Sequence, residues 1–292
     1  HLSIRRQRQM CIRDRFMTSA QAITLGVVQG VTEFLPISSI AHLRVIPALL
    51  GWSDPGAAFS AVIQLGSLAA LLVYFASDMR VMARVALRGL ADGQPWAKQE
   101  ARLAWFIVLG TIPITVCGLA FKRSIVGELR SLYIISASLI ILGILLWAAE
   151  KTAAFRRDVA EIGWPDSQLI GLAQALALIP GSSRSGTTMA AAMFLGLTRE
   201  AAARFSFLLG IPAIGGAGLF ELRDLLRHGL AGAELSGLII GVVSSAVSGY
   251  LAIDFLLRYL RSRTTYVFVW YRVGLGLLLL VLLRLGILQP LG

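Results

Sequence analysis

The feature that most constrains the fold of this chain is a series of apolar stretches, each about as long as a helix that crosses a lipid bilayer. The 292 residues are 57% hydrophobic and 15% charged, with a mean hydropathy of +0.75. Soluble domains carry about 25% charged residues, and a membrane-crossing helix needs about 20 apolar residues. The sequence therefore predicts an all-α polytopic membrane protein. Its two cysteines, Cys11 and Cys117, imply neither a disulfide framework nor a cysteine metal site.

Hydrophobic patterning predicts six helices that are long enough to cross a membrane and four that are too short. The six predicted spans are 57–77, 100–121, 131–149, 199–222, 233–257 and 266–288. The short helices form two pairs, 20–35 with 39–50 and 167–179 with 186–196, and each pair surrounds a break that contains proline and serine. Irregular backbone at membrane depth is tolerated where it is buried in protein or lines a wet cavity. Each pair is therefore expected to be a re-entrant helix–loop–helix unit.

An internal repeat relates the two halves of the chain. Residues 26–29 (Gly-Val-Val-Gln) resemble residues 171–174 (Gly-Leu-Ala-Gln), and the Phe-Ser pair at 59–60 recurs at 205–206. The two offsets, 145 and 146 residues, agree. Each half then holds one re-entrant pair and three spans, and because three is odd, the second half enters the membrane from the opposite face. We therefore predict an inverted-topology repeat whose broken loops meet near the midplane.

The first sixteen residues differ from the rest, because they hold five arginines and one aspartate and precede the apolar pattern. We interpret residues 1–16 as a non-native leader and Met17 as the natural start. A basic, partly disordered tail is the alternative interpretation. Residues 17–292 are then a single membrane domain, with repeat halves at about 17–150 and 165–292.

The positive charges are unevenly distributed over the predicted loops. With the N-terminus outside, the cytoplasmic loops 78–102, 150–166, 199–204 and 258–263 hold thirteen Lys and Arg residues, against six in the opposite loops. This bias follows the positive-inside rule and supports an outside N-terminus. Without the +4 of residues 1–16, the formal net charge of +11 falls to +7, and basic cytoplasmic loops account for this excess, so that no nucleic-acid partner is expected.

The first break carries ionisable groups, which are costly at bilayer depth and persist mainly in functional cavities. Gln29 and Glu33 lie one helical turn apart on one face, where a carboxylate can bind a divalent cation or exchange protons. Ser38 or Ser39 is placed to cap the second helix, with His42 in its first turn. The alternative to a functional site is a purely structural role, in which Glu33 is buried and hydrogen-bonded to a neighbouring helix and one serine caps the second helix. Because that alternative leaves a serine and a histidine unexplained, we predict a functional site.

The second break, residues 180–188 (Pro-Gly-Ser-Ser-Arg-Ser-Gly-Thr-Thr), has the composition of an anion-binding loop. Successive small residues let backbone N–H groups converge, and the following helix N-terminus adds a positive dipole end. Arg184 supplies a planar fork suited to phosphate oxygens. The hydroxyls that complete this predicted shell belong to Ser183, Ser185, Thr187 and Thr188. Helix packing by small residues, with Arg184 paired structurally to Glu33, is the alternative. We favour a phosphate site, because an arginine in a re-entrant loop needs an anion.

Three motifs resemble the bacitracin-resistance family of undecaprenyl-diphosphate phosphatases. They are Glu-Phe-Leu-Pro-Ile-Ser-Ser-x-x-His at 33–42, Gln-Leu-Gly-Ser at 64–67 and Pro-Gly-x-Ser-Arg-Ser-Gly at 180–186, and the resemblance covers nearly all of residues 17–292. It implies a multi-pass enzyme among the lipids of the bacterial plasma membrane, with its site facing the periplasm. The implied reaction hydrolyses undecaprenyl diphosphate, a polyprenyl diphosphate lipid, to undecaprenyl phosphate and inorganic phosphate. This reaction recycles the lipid carrier for peptidoglycan synthesis and confers bacitracin resistance.

Carried over position by position, the resemblance assigns roles to the polar residues of both breaks. The implied catalytic residues are Glu33, Ser39, His42 and Arg184, and the substrate-binding residues are Gln29, Ser38, Ser183, Ser185, Thr187 and Thr188. The resemblance also implies a divalent cation, Mg²⁺ or Ca²⁺, held by Glu33 and Gln29. Family members have Glu or Gln at the position of Gln29, and the glutamine of this chain lacks the negative charge that a glutamate would offer a metal ion. Ile40-Ala41 stands where family members usually have Thr-Gly before the histidine.

The residues alone leave several alternatives open. Ser39 activated by His42, water activated by His42, and His42 itself are all candidate nucleophiles, and a homodimer is neither required nor excluded. A transporter or flippase of the lipid phosphate carrier is the main alternative function, because inverted repeats with broken helices are a transporter architecture. An acid-phosphatase-type lipid phosphatase needs two site histidines, and the apolar sequence offers only His42. A purely structural protein leaves Glu33 and Arg184 unexplained.

Overall fold

The computed structural model describes residues 17–121, 129, 131–228 and 232–290, so that the predicted leader at 1–16 lies outside the described residues. In this part of the chain the regular structure is helical, apart from one isolated bridge between Arg157 and Leu197. The α-helices are α1 (Ser19–Phe34), α2 (Ser39–Leu50), α3 (Gly56–Tyr74), α4 (Ala76–Ala91), α5 (Gln99–Gly110), α6 (Ile112–Ala120), α7 (Leu132–Thr152), α8 (Trp164–Ala175), α9 (Arg184–Phe194), α10 (Arg199–His228), α11 (Gly232–Leu260) and α12 (Tyr266–Arg284).

Five helical segments of the described chain are long and apolar enough to cross a membrane. They are Gln99–Ala120 (α5 with α6), Leu132–Thr152, Arg199–Arg227, Leu235–Leu260 and Tyr266–Arg284. The pair α3 and α4, bent by 75° at its break, makes a sixth span if the two helices are counted as one. These segments correspond to the six predicted spans, and the prediction of an all-α polytopic membrane protein is confirmed.

Two of the predicted spans are interrupted. The predicted helix 57–77 ends at Tyr74, and after a bend at Phe75 the chain continues as α4. The predicted helix 100–121 divides at Thr111, directly before the Ile112-Pro113 start of α6. Proline lacks a backbone N–H and is therefore accommodated in the first turn of a helix rather than in its interior.

The two short helix pairs, α1 with α2 and α8 with α9, each surround a break as the sequence predicts. Ser38 caps α2 and accepts a hydrogen bond from the N–H of Ala41, whereas Ser183 caps α9 and accepts one from Gly186. The two serines lie 145 residues apart and share a left-handed backbone, with φ values of 76° and 65°. Such a conformation in a non-glycine residue costs about 1–3 kcal/mol and persists only where the surrounding structure enforces it.

Close helix crossings relate the first helix of each broken pair to a span of the other half. A Cβ atom added to Gly26 in α1 would lie 2.5 Å from the carbonyl oxygen of Gly241 in α11. One added to Gly171 in α8 would lie 2.1 Å from the carbonyl oxygen of Gly110 in α5. Only glycine permits backbones to approach so closely, as at small-residue crossings of membrane helices. The two crossings hold both broken pairs against the rest of the bundle.

An ionic cluster at the chain segment between the halves positions α8. Arg157 donates to both carboxylate oxygens of Asp166 (3.2 and 2.5 Å) and to the carbonyl oxygens of Glu161 and Leu195 (both 2.8 Å). Burial alone would raise the pKa of Asp166, but the hydrogen bonds from Arg157 and from the N–H of Gly163 lower it below its ordinary value. The stabilisation is therefore present at neutral pH and is lost as the pH falls through that lowered pKa.

Candidate active site

The two polar segments meet in the interior through an ion pair. The Nε and Nη2 atoms of Arg184 lie 3.3 and 3.2 Å from Oε1 of Glu33, across 151 residues of sequence. Both side chains are at least nine-tenths buried. The contact joins the C-terminal end of α1 to the first residue of α9. The structure thus brings together the acidic residue of one break and the basic residue of the other.

The Glu33 carboxylate is surrounded by donors from its own helix pair as well. Its Oε2 accepts hydrogen bonds from Nε2 of Gln29 and from Oγ of Ser39, both at 2.9 Å. The Gln29 contact follows from the four-residue spacing on α1, and the Ser39 contact follows from the start of α2 directly after the break. Three of the predicted site residues therefore converge on Glu33.

His42 lies apart from this cluster of hydrogen bonds. Its Nδ1 lies 2.7 Å from the carbonyl oxygen of Ser38, and its Nε2 lies 2.7 Å from the hydroxyl of Tyr271. A carbonyl oxygen only accepts, so Nδ1 carries a proton, and in the neutral ring Nε2 accepts from Tyr271. Because Ser39 donates to Glu33 instead, the pairing in which His42 activates Ser39 is not formed. The carboxylate of Glu33 is the group placed to accept the serine proton.

The hydroxyls of the second break are engaged mainly with the backbone. Ser183 accepts from the N–H of Gly186 (3.2 Å), so that its helix-capping role is real. Thr187 donates to the carbonyl oxygen of Ser183 or Arg184, and Ser185 donates to that of Leu35 in the first break. The hydroxyl of Thr188 lies 2.5 Å from that of Ser206 in α10. These residues line the break, but in this arrangement most of their hydroxyls shape the loop.

A glycine in α10 makes room for the Arg184 side chain. Nη1 of Arg184 donates to the carbonyl oxygen of Ser206 (3.0 Å). A Cβ atom added to Gly210 would lie 2.0 Å from the same Nη1. Any larger residue at position 210 would therefore displace the guanidinium from Glu33.

Two consecutive residues of α12 belong to the site, although the sequence interpretation did not select them. Tyr271 holds His42, with the two rings stacked at 5.6 Å between centroids. Arg272 is fully buried and donates to carbonyl oxygens of both breaks. The signal for Arg272 was present in the sequence, because an arginine within a predicted span is as costly as Arg184. Tyr271 carries no such signal, since tyrosine is common in membrane helices.

The donors for a divalent cation are few but adjacent. No group of three or more His, Cys, Asp or Glu side chains converges within the described residues. Glu33 and Gln29 lie side by side, and the buried Oε1 of Gln29 lacks a hydrogen-bond partner. Mg²⁺ is commonly bound by one or two carboxylates together with substrate phosphates and water. The pair therefore suits a cation that arrives with a phosphate substrate better than one held by protein ligands alone.

Known proteins are similar to this chain over nearly its whole length. Residues 22–278 match the family described as bacitracin resistance protein BacA. Undecaprenyl-diphosphatase of Myxococcus xanthus is 55% identical over 94% of this chain and 92% of its own length. The undecaprenyl-diphosphatases of Chloroherpeton thalassium and Chlorobaculum tepidum are 51% and 49% identical, again over 94% of this chain, and are covered over 99% and 100% of their lengths.

Proposed function

This chain belongs to the family of the bacitracin resistance protein BacA, and we propose that its two broken helix pairs are the two halves of a single diphosphatase site. The chain is a membrane-embedded hydrolase that converts undecaprenyl diphosphate to undecaprenyl phosphate and inorganic phosphate. Its relatives at 49–55% identity carry the name of this activity over nearly their whole length.

The contact between Glu33 and Arg184 is the observation that carries the assignment. A buried guanidinium and a buried carboxylate meet where α2 and α9 both begin. Helix N-termini attract phosphate through their free N–H groups and their dipoles. We assign binding of the terminal phosphate to Arg184 and to the N–H groups at the start of α9. The same groups stabilise the negative charge that develops on the phosphoryl oxygens during transfer.

The divalent cation is assigned to Glu33 and Gln29. The support is the adjacency of the two side chains and the unpartnered, buried Oε1 of Gln29. When bound with substrate, Mg²⁺ or Ca²⁺ would neutralise phosphate charge beside the carboxylate. Because Glu33 also accepts hydrogen bonds from Arg184 and Ser39, it would position both groups beside the diphosphate of the substrate.

We assign the nucleophile to Ser39, with Glu33 as its base. Oγ of Ser39 lies 2.9 Å from Oε2 of Glu33, which is within proton-transfer range. In this step Oγ forms a bond to the terminal phosphorus and its proton passes to Glu33. The bond from that phosphorus to the bridging oxygen breaks, and undecaprenyl phosphate leaves. Water then forms a bond to the phosphorus of the phosphoserine, the bond from that phosphorus to Oγ breaks, Oγ takes back its proton from Glu33, and inorganic phosphate is released. His42 is assigned as the base for this water and must exchange its bond with Tyr271 for one with the water.

Replacing Ser39 with alanine is expected to lower kcat on the order of 10³-fold, because the covalent route is lost. The measurement is release of inorganic phosphate from undecaprenyl diphosphate by purified protein, combined with acid quenching of a ³²P-labelled reaction to trap phosphoserine. Ser131→Ala is the control, because Ser131 caps α7 by accepting a hydrogen bond from the N–H of Tyr133 and lies outside both breaks. A near-normal kcat for Ser39→Ala, with no trapped label on the wild type, would assign attack to water instead.

The inverted repeat and its orientation are part of the proposal. They are supported by the matching backbone conformations of Ser38 and Ser183. They are also supported by the two glycine crossings, in which the first helix of each broken pair contacts a span of the other half. A related crossing joins α7 and α12, where Gly143 and Gly276 each face the other helix. With the outside N-terminus that the loop charges favour, the first break enters from the periplasm, and we infer that the site opens to that side.

Membrane-impermeant thiol labelling in intact cells tests this orientation. In a background with both Cys11→Ser and Cys117→Ser, a cysteine at Ser53, after the first broken pair, is expected to react from outside. A cysteine at Arg156, before the second pair, is expected to react only after the cells are opened. Both positions are exposed, so that failure to react reports sidedness rather than burial. Labelling of both from the same side would contradict the inverted repeat.

A further inference from the structure

Arg272 is a buried guanidinium in the middle of a membrane-spanning helix. Its relative exposure is 0%, and its hydrogen-bond acceptors are the carbonyl oxygens of Pro36 (3.3 Å), Gly181 (3.4 Å) and Ser182 (2.8 Å). Within the described chain no carboxylate forms an ion pair with it. A buried charge without a counter-ion is costly. Packing alone therefore does not explain an arginine at this position.

The three carbonyl oxygens belong to both broken helix pairs. Pro36 and Gly181 occupy equivalent positions, 145 residues apart, and each lies two residues before a capping serine with positive φ. Nη1 of Arg272 holds the first break and Nη2 holds the second. One side chain from a third element thus joins the two loops directly before the helix starts that are assigned to phosphate binding.

These hydrogen bonds also orient backbone donors. The C=O of Ser182 and the N–H of Ser183 belong to one planar trans peptide and point in opposite directions. Because Nη2 of Arg272 holds that oxygen at 2.8 Å, the N–H of Ser183 is turned away from Arg272. Gly186 is matched to this arrangement, since a Cβ atom there would lie 2.5 Å from Nη1 of Arg272. The glycine in the Ser-Arg-Ser-Gly sequence is thus required by Arg272.

We propose that Arg272 is a positioning residue for the diphosphatase reaction, which clamps both breaks so that the N–H groups at the start of α9 face the terminal phosphate. The proposal rests on the site proposed above. The positive charge of Arg272 adds to that of Arg184, so that the described site holds two buried guanidinium groups and the single carboxylate of Glu33. The phosphate groups of the substrate supply the missing negative charge.

Replacing Arg272 with lysine or with methionine tests the hydrogen bonds to the two breaks separately from the positive charge. Arg272→Lys keeps the charge, but its single nitrogen cannot reach both breaks as Nη1 and Nη2 of the guanidinium do, so we expect KM near that of the wild type and kcat lower by about 10²-fold, as for a small misplacement of catalytic groups. Arg272→Met loses the charge as well, and we expect the same loss in kcat together with a raised KM. Arg284→Met changes an exposed arginine at the end of the same helix and is the control, with both constants unchanged.

Phosphate-release kinetics and thermal unfolding in detergent are measured together on all four proteins. A residue that acts only on folding would lower Tm and the folded fraction but leave kcat and KM of the folded enzyme unchanged, and that result overturns the proposal. Wild-type kcat in Arg272→Lys overturns it as well, while the proposed function stands. If Arg272→Met does not fold, the lysine variant alone decides. Absence of phosphate release by the wild type would instead refute the proposed function.

Discussion

Replacing Arg184 with alanine is expected to lower kcat/KM for undecaprenyl diphosphate by about 10³-fold or more, the range seen when a phosphate-stabilising arginine is removed. Its guanidinium is the one side-chain cation in contact with Glu33 among the described residues, and it is held by Ser206 as well. Without it, the terminal phosphate loses a bidentate partner and developing charge is no longer neutralised. The loss is expected mainly in kcat, because the interaction strengthens in the transition state.

The Arg184 measurement needs a control for loss of a buried ion pair. Arg44 provides it: the side chain is buried, lies on α2 and is paired with Asp54 at 2.7 Å, outside the site. Arg44→Ala removes a comparable pair and is expected to lower stability while leaving kcat/KM of the folded protein intact. Arg184→Lys should recover little activity, since an ammonium group cannot reproduce the planar fork. Near-normal hydrolysis by folded Arg184→Ala would refute its role.

Replacing Glu33 with glutamine is expected to lower kcat by about 10²- to 10³-fold, as when a preorganised charged group is removed from an active site. The amide has almost the same shape but loses the negative charge that pairs with Arg184 and accepts the proton of Ser39. It is also a weaker cation ligand, so that the Mg²⁺ concentration for half-maximal activity should rise. The measurement is phosphate release as a function of Mg²⁺ and Ca²⁺ concentration, after treatment with a chelator.

A second buried glutamate supplies the control for this substitution. Glu150 accepts from Arg199 and from the hydroxyl and N–H of Thr265, away from the site. Glu150→Gln should reduce stability without changing the metal dependence. Because Glu33 and Arg184 act as a unit, the double variant should be little worse than the poorer single variant. Fully additive losses would show that the two residues act independently. A metal response of Glu33→Gln equal to that of the wild type would show that Glu33 does not bind the cation.

The sequence predicted the helices and both breaks because their physical signals are local. Apolar length identifies the spans, and Pro36 and Pro180 identify the interruptions. The sequence offered the pairing of Glu33 with Arg184 only as the alternative to a phosphate site, and the structure forms this pair. The bend at Phe75 and the helix break at Thr111 were not predicted, because average hydropathy does not report a local interruption of a helix.

The hydrogen-bond partners within the site were less accessible from the sequence. One of the three candidate mechanisms required His42 to activate Ser39, three residues away on the same helix, but His42 bonds Tyr271 on α12. Ser39 bonds Glu33 across the break instead. Spacing along one helix shows which side chains share a face, but not which neighbouring helix covers that face. The partners of Arg272 were inaccessible for a similar reason: its place within a predicted span marks the residue, but its three acceptors are backbone carbonyl groups that no side-chain motif reveals.

Release of inorganic phosphate by the purified wild-type protein, reconstituted in liposomes with undecaprenyl diphosphate and Mg²⁺, tests the central claim most directly. Glu33→Gln and Arg184→Ala are assayed in parallel, and movement of the lipid between leaflets is followed in the same vesicles. We predict that the wild type releases one phosphate for each undecaprenyl phosphate formed, and that both variants lose this activity while remaining folded. Lipid movement without phosphate release would contradict the claim and identify a transporter.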